Sequence, residues 1–231
     1  MARAYGYYCP VAHALGVVGD RWSLLIVRDL LRGPQRFTDL LSYLSNITPK
    51  WLMLRLRELE EAGVVEREQG QDRREVWYKL TPAGQELRPV VEALWAWGLR
   101  YAMRPPLPGE VVHPELAVGT LTASLNNRGR KLSQPATWLF NFTPGSPYTI
   151  SFDGECWSTR QGEEENPDVA VTTSPEAWTT FLAVKRDEKS RLAQTLKIDG
   201  TPERIEEFLY TVGVRNGKGH SNSAEPKSDR G

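Results

Sequence analysis

The stretch "TPKWLMLRLRELEEAGVVEREQGQDRREVWYKLTPAG", residues 48–84, carries two periodicities in succession. Thr48 can cap a helix whose first position, Pro49, needs no amide donor. Leu52, Leu56 and Leu59 then recur at i, i+4 and i+7, and Gly63 ends the run. At 100° per residue Leu56 and Leu59 fall within about 40° of Leu52, while Lys50, Leu54 and Arg57 point to the opposite side. One face packs and the other reaches outward. Beyond the glycine, Val64 to Glu68 and Glu75 to Leu80 read as short strands joined by "QGQDRR". Thr81 caps again, Pro82 opens, and "AGQELRPVVEALWAWGLRYAM" reads as one long helix, weakened in propensity at Pro89.

Working upstream, Ala12, Leu15, Gly16 and Val18 suggest a short first helix. Trp22, Leu25, Ile26, Asp29 and Leu30 follow helical spacing until Gly33 and Pro34 stop it. "RFTDLLSYLS" gives a third helix with Phe37, Leu40, Leu41 and Leu44 on one face. Helices, two strands and a further helix make the order of a mostly α winged helix-turn-helix domain. A helix start carries unpaired amides and a partial positive charge, so its first turns meet phosphates and base edges in a major groove. The DNA-binding candidates are therefore Thr48, Pro49, Lys50, Trp51, Leu54 and Arg55, with Arg73 and Arg74 at the hairpin tip placed to follow the backbone or probe a minor groove. The same spacing also lets Lys50, Arg55 and Arg57 pair with Glu58, Glu60 and Glu61 as ordinary solvated helix residues.

With 231 residues, 40% of them apolar, the chain can bury one large core or two modest ones, and two domains are expected. The formal net charge is zero, but residues 1–104 hold 15 Lys/Arg against 12 Asp/Glu and residues 105–231 hold 14 against 17. That sign would put any polyanion partner, such as the double-stranded DNA that the helix order suggests, on the first half. "RPPLPGE", 104–110, has too many prolines for a helix or central strand. The expected division is a winged-helix domain over 1–104, a linker over 105–112, a second domain over 113–214, and a disordered tail over 215–231, where no large apolar residue occurs. No leader pattern and no run of 18 apolar residues is visible, which points to a cytoplasmic protein. Cys9 and Cys156 lie far apart and in different expected domains, so no structural disulfide is expected, and two thiols are too few for a thiolate metal site. No GxxxxGK[ST], GxSxG, HExxH or CxxC occurs and the three histidines are scattered, so neither an enzyme nor a cofactor is expected.

In the second half, "ATWLFNF", "YTISFDG", "CWSTRQG" and "DVAVTT" read as strands. Ser174-Pro175 starts a helix bearing Trp178, Phe181 and Leu182, "AQTLKIDG" returns as a strand, and Thr201-Pro202 starts a last helix. The order indicates an α+β domain with a mixed sheet and helices.

The run from Cys9 to Glu68, through "CPV", "GDRWSLLI", "GPQRFTDL" and "TPKWLMLRLRELEEAGVVER", together with "LTPAG", resembles the HxlR-type winged helix-turn-helix transcription regulators. The resemblance implies a homodimer on palindromic operators, acting as a repressor, with the subunit contact built from residues 10–20 and the region of Trp95, Trp97 and Leu99. In some relatives a cysteine before "PV" senses oxidants, which makes Cys9 a redox-sensing candidate. The second half, through "YTISFDGECWSTRQG", "PDVAVTTSPEAWTTFLAV" and "LKIDGTPERIEEFL", is similar to the sterol-carrier-protein type of fold. That similarity implies an apolar tunnel for a hydrophobic effector, with Phe140, Trp157, Trp178, Phe181 and Phe208 as lining candidates, although the same residues could simply fill a core. The competing reading is a hydrophobic-ligand carrier whose helical half only dimerises.

Overall fold

The structure, a computed structural model, describes residue 6, residues 8–70 and residues 75–214. The expected arginine tip, Arg73 and Arg74, and the expected tail over 215–231 lie outside the described residues. The chain forms two compact units, Met1–Met103 and Arg104–Gly231.

The first unit runs α1 (Pro10–Val18), α2 (Ser23–Leu30), β1 (Gln35–Arg36), α3 (Phe37–Tyr43), α4 (Pro49–Glu61), β2 (Val65–Gln69), β3 (Val76–Leu80), α5 (Pro82–Gln85) and α6 (Arg88–Tyr101). Its core gathers Ile26, Val27 and Leu30 of α2, Leu40 of α3, the Leu52, Leu56 and Leu59 stripe of α4, and Val65, Tyr78 and Leu80 of the sheet. Two elements depart from the sequence reading. Gln35 and Arg36 form a strand that pairs with Tyr78 and Trp77, making a three-stranded antiparallel sheet in the order β1-β3-β2. The long helix expected from Pro82 is two helices, because Pro89 has no N–H to continue the ladder and sits instead in the first turn of α6, where no such bond is required.

The corner between β3 and α5 explains the "LTPAG" motif. The Thr81 hydroxyl donates to the Gly63 carbonyl at 2.6 Å and accepts from the Gly84 amide at 3.1 Å. A Cβ on Gly84 would stand 2.2 Å from the Val64 carbonyl oxygen, so only glycine lets the two backbones approach. Gly84→Ala is expected to cost roughly 1–3 kcal/mol, as overpacking of a tight contact does, read as a lower denaturation midpoint with an unchanged denaturant slope. A midpoint equal to that of the native protein would show that the corner is not held this closely.

The second unit comprises α7 (Pro114–Asn127), β4 (Ala136–Phe142), β5 (Tyr148–Phe152), β6 (Trp157–Gln161), β7 (Val169–Thr173), α8 (Pro175–Ala183), α9 (Arg186–Ala193), β8 (Lys197–Gly200) and α10 (Pro202–Thr211). The mixed sheet has the order β6-β5-β4-β7-β8, with β4 and β7 parallel and the other neighbours antiparallel. The expected strands and helices are present. α7 and α9 are additions, α7 lying against β5 and β6.

The five expected pocket residues, Phe140, Trp157, Trp178, Phe181 and Phe208, are all buried in one cluster with Trp138. Ring centroids lie 4.7 Å apart for Phe140–Trp178, 5.1 Å for Trp178–Phe181, 4.9 Å for Trp138–Phe208 and 4.5 Å for Trp138–Trp157. These rings pack on each other as a core does.

The proline-rich segment expected as a linker is tied into a loop. Arg104 holds both carboxylate oxygens of Glu110, at 2.8 and 2.6 Å, and the Leu107 amide donates to the same carboxylate at 2.7 Å. The guanidinium, and after it the Leu107 N–H, lower the Glu110 carboxyl to about 2. A depressed carboxylate of this kind contributes above its ordinary pKa, and the contribution is lost as pH falls toward 2.

Candidate DNA-binding interface

The turn between α3 and α4 passes through Asn46, the one described non-glycine residue at positive φ, +71°, a conformation asparagine tolerates better than most side chains. It delivers the chain to Thr48, whose hydroxyl accepts from the Trp51 amide at 3.3 Å. Pro49 follows as the first residue of α4. Leu52, Leu56 and Leu59 are buried, and Lys50, Leu54 and Arg57 are exposed on the opposite side, as the periodicity predicts. Trp51, 51% exposed, and Met53 flank that open stripe.

The two arginines of α4 part company. Arg55 is only 15% exposed and pairs with Glu58 at 2.5 Å and Asp20 at 3.4 Å. Its guanidinium also lies 5.6 Å from the Trp51 ring centroid. In the structure the Arg55 guanidinium is engaged by two carboxylates, the pairing that the helical spacing also allowed, and it lies against the side of α4 that carries Trp51. Arg57 makes no ion pair among the described residues, and neither does Lys50, so these two cations remain on the open face.

The wing is built from β2 and β3, paired from Val65 with Leu80 to Gln69 with Val76. The Gly70 amide donates to the Glu75 carbonyl at 2.8 Å, closing the ladder just before the tip. Cations along the strands are compensated: Lys79 meets Glu68 at 2.8 Å and Glu66 at 3.4 Å, and Arg67 meets Glu60 at 2.8 Å. Arg36, which the sequence reading did not single out, joins the wing base. Its guanidinium lies 4.7 Å from the Trp77 ring centroid and bonds Glu75. Only its pairing through β1 reveals this, so nothing in local spacing could have.

A second open surface lies on α1 and α6. No residue of α6 is buried, and Val90, Leu94, Trp97 and Tyr101 form an exposed apolar row at i, i+4, i+7 and i+11. Trp97 and Tyr101 are 59% and 64% exposed. On α1, Val11 and Leu15 are exposed, as is Tyr8 before it. Both helices lie against α2. Of the expected contact residues Trp95, Trp97 and Leu99, only Trp97 is on the exposed row; the other two are half-buried.

Cys9 is the half-buried residue that caps α1, its carbonyl accepting from the His13 amide at 3.0 Å. Cys156 is exposed in the second unit, its thiol hydrogen-bonded to Asp153, whose carboxylate pushes the thiol pKa up. Among the described residues no group of His, Cys, Asp and Glu is placed to hold a metal ion, and no helix is long and apolar enough to cross a membrane.

Residues 17–105 match the HxlR-like helix-turn-helix family. The uncharacterized HTH-type transcriptional regulator YkvN of Bacillus subtilis (strain 168) is 38% identical over 102 residues, 43% of this chain and 86% of that protein. The uncharacterized HTH-type transcriptional regulator sll1512 of Synechocystis sp. is 36% identical over 94 residues, 40% of this chain and 70% of that protein. Among solved structures, the redox regulator HypR in its oxidized form is 36% identical, over 39% of this chain and 94% of that chain, with a TM-score of 0.38. A capped helix with a cationic stripe, a strand-paired wing, the family match and the two HTH-type relatives converge: through its first unit, the chain belongs to the HxlR-like helix-turn-helix family of DNA-binding transcriptional regulators.

Proposed function

We propose that the protein is a dimeric repressor that binds palindromic operators through α4. The observation that carries this reading is the outward stripe of α4, where Lys50 and Arg57 pair with no described residue beside a capped helix start. A cation left free on a helix otherwise rich in pairing glutamates is available to phosphates and guanine edges. The exposed apolar rows of α1 and α6 supply the surface for a second copy, and twofold symmetry then sets two α4 helices on half-sites one helical turn apart. Arg73 and Arg74, between β2 and β3 in the sequence, are proposed to add phosphate-backbone contacts.

Two inputs belong to the same proposal. Oxidation of Cys9, at the start of a helix that bears part of the apolar row, would alter the subunit contact. A hydrophobic effector in the second unit is the other input, and it rests on the resemblance of "YTISFDGECWSTRQG" and "LKIDGTPERIEEFL" to the sterol-carrier type.

The test is to incubate the full chain with fragmented genomic DNA, recover bound fragments at about 150 mM salt, and titrate salt on whatever is enriched. The expected result is one or a few inverted repeats, with affinity falling on the order of tenfold or more per few-fold rise in salt. Diffuse binding, or none even at low salt by a confirmed dimer, overturns the reading. The first unit would then serve dimerisation alone, and the second would become a carrier of hydrophobic ligands.

A further inference from the structure

A helix lying in the major groove presents its outward stripe to base edges, and on α4 that stripe is Lys50, Leu54 and Arg57, spaced i, i+4 and i+7 opposite the buried leucines. Its centre is a leucine, 37% exposed, with a cation one turn to either side. The same stripe ends at Glu61, exposed at the last position of the helix. Phosphates repel that carboxylate, so the part of α4 that enters the groove is its first two and a half turns, from Pro49 to Arg57, and Leu54 sits within them.

Leucine can neither donate nor accept. Set against the N7 and O6 of guanine, the N7 and N6 of adenine or the N4 of cytosine, it would strip water from polar edges and return nothing. Thymine alone offers an apolar group in the major groove, its C5 methyl. Trp51 and Met53 do not take the central place: each stands about 100° around the helix from the buried leucine line, and Trp51 is kept to its own side by Arg55.

We infer that Leu54 reads a thymine C5 methyl in each operator half-site, between the contacts made by Lys50 and Arg57. This rests on the reading of α4 as the DNA-binding helix. It predicts thymine at a fixed position in each half-site, recognised without a hydrogen bond from the side chain that selects it.

The experiment uses the full chain and DNA selected from a random duplex pool. Within the selected sequence, each thymine is replaced in turn by deoxyuridine, which removes the methyl and leaves every hydrogen-bonding edge intact. Affinity is measured by fluorescence anisotropy at fixed salt. At one thymine per half-site, uridine should weaken binding roughly fourfold, the value of one buried methyl, and the symmetric pair on the order of tenfold. Leu54→Ala should bind thymine and uridine versions of that position equally. Its far-ultraviolet circular dichroism and salt slope should match those of the native protein, since Leu54 contributes to neither the core nor the phosphate contacts. An enriched sequence indifferent to removal of every methyl, or a methyl preference that survives in Leu54→Ala, overturns this inference and leaves DNA binding standing. A pool that yields no enriched sequence overturns both.

Discussion

The double variant Lys50→Glu, Arg57→Glu will bind a selected operator on the order of a hundredfold more weakly than the native protein at about 150 mM salt, with a melting temperature close to native. Each free cation on α4 is worth roughly a factor of ten when it meets a phosphate or a guanine edge. Reversing the charge adds repulsion to the loss. The slope of log affinity against log salt should fall by about 2, one for each phosphate contact removed. Thermal stability should hardly move, because neither side chain pairs with a described residue or enters the core. Arg55→Glu is the contrast. It leaves the Asp20 and Glu58 carboxylates facing a third carboxylate in a half-buried position, so its first effect should be a lowered melting temperature. Should the double variant keep native affinity and an unchanged salt slope, the outward stripe of α4 is not the surface that meets DNA.

That contrast between Arg55 and Arg57 also marks where sequence reasoning stops. Each arginine has a glutamate at a pairing distance along the helix, Glu58 at i+3 for Arg55 and Glu61 at i+4 for Arg57, so local spacing treats them alike. What separates them is Asp20, which precedes α2 and reaches Arg55 only after the unit has folded. The stripe of Leu52, Leu56 and Leu59 was legible because its period, its Thr48 cap and its Pro49 start are all local. Strand β1 was not, since its two residues acquire their identity from Trp77 and Tyr78, some forty positions later. In the second unit, α7 buries Ala117, Val118, Leu121, Thr122 and Leu125, a helical pattern. Gly119 and the β-branched residues among them lower its propensity and blur the signal. α9, "RDEKSRLA", buries nothing and offers no apolar period to read. The five aromatic residues offered for a tunnel could be assigned to the interior from sequence, but whether interior side chains meet one another or line a space depends on distances that periodicity does not contain.

The proposed subunit contact shows the same limit and leads to the second large effect. The family resemblance implies the region of Trp95, Trp97 and Leu99 as a whole, without choosing a face of the helix. With the helix restarting at Arg88, the outward row becomes Val90, Leu94, Trp97 and Tyr101. Leu94→Asp, Trp97→Asp should convert the proposed dimer to a monomer, measured by sedimentation or by light scattering on a sizing column. A twofold interface is self-complementary, so each substitution removes two side chains from it and introduces two carboxylates. Burying one such apolar side chain contributes about 1.5–3 kcal/mol, and four lost at once exceed what a dimer of moderate affinity can absorb. The fold of each protomer should survive, because both side chains already face solvent within it. Operator affinity should fall together with the dimer, by about two to four orders of magnitude, since a monomer engages one half-site and forfeits the effective concentration that the second supplies. A variant that remains dimeric would move the subunit contact off the α6 row. A variant that becomes monomeric yet keeps full operator affinity would instead show that one α4 helix suffices, and with it the palindrome would lose its reason.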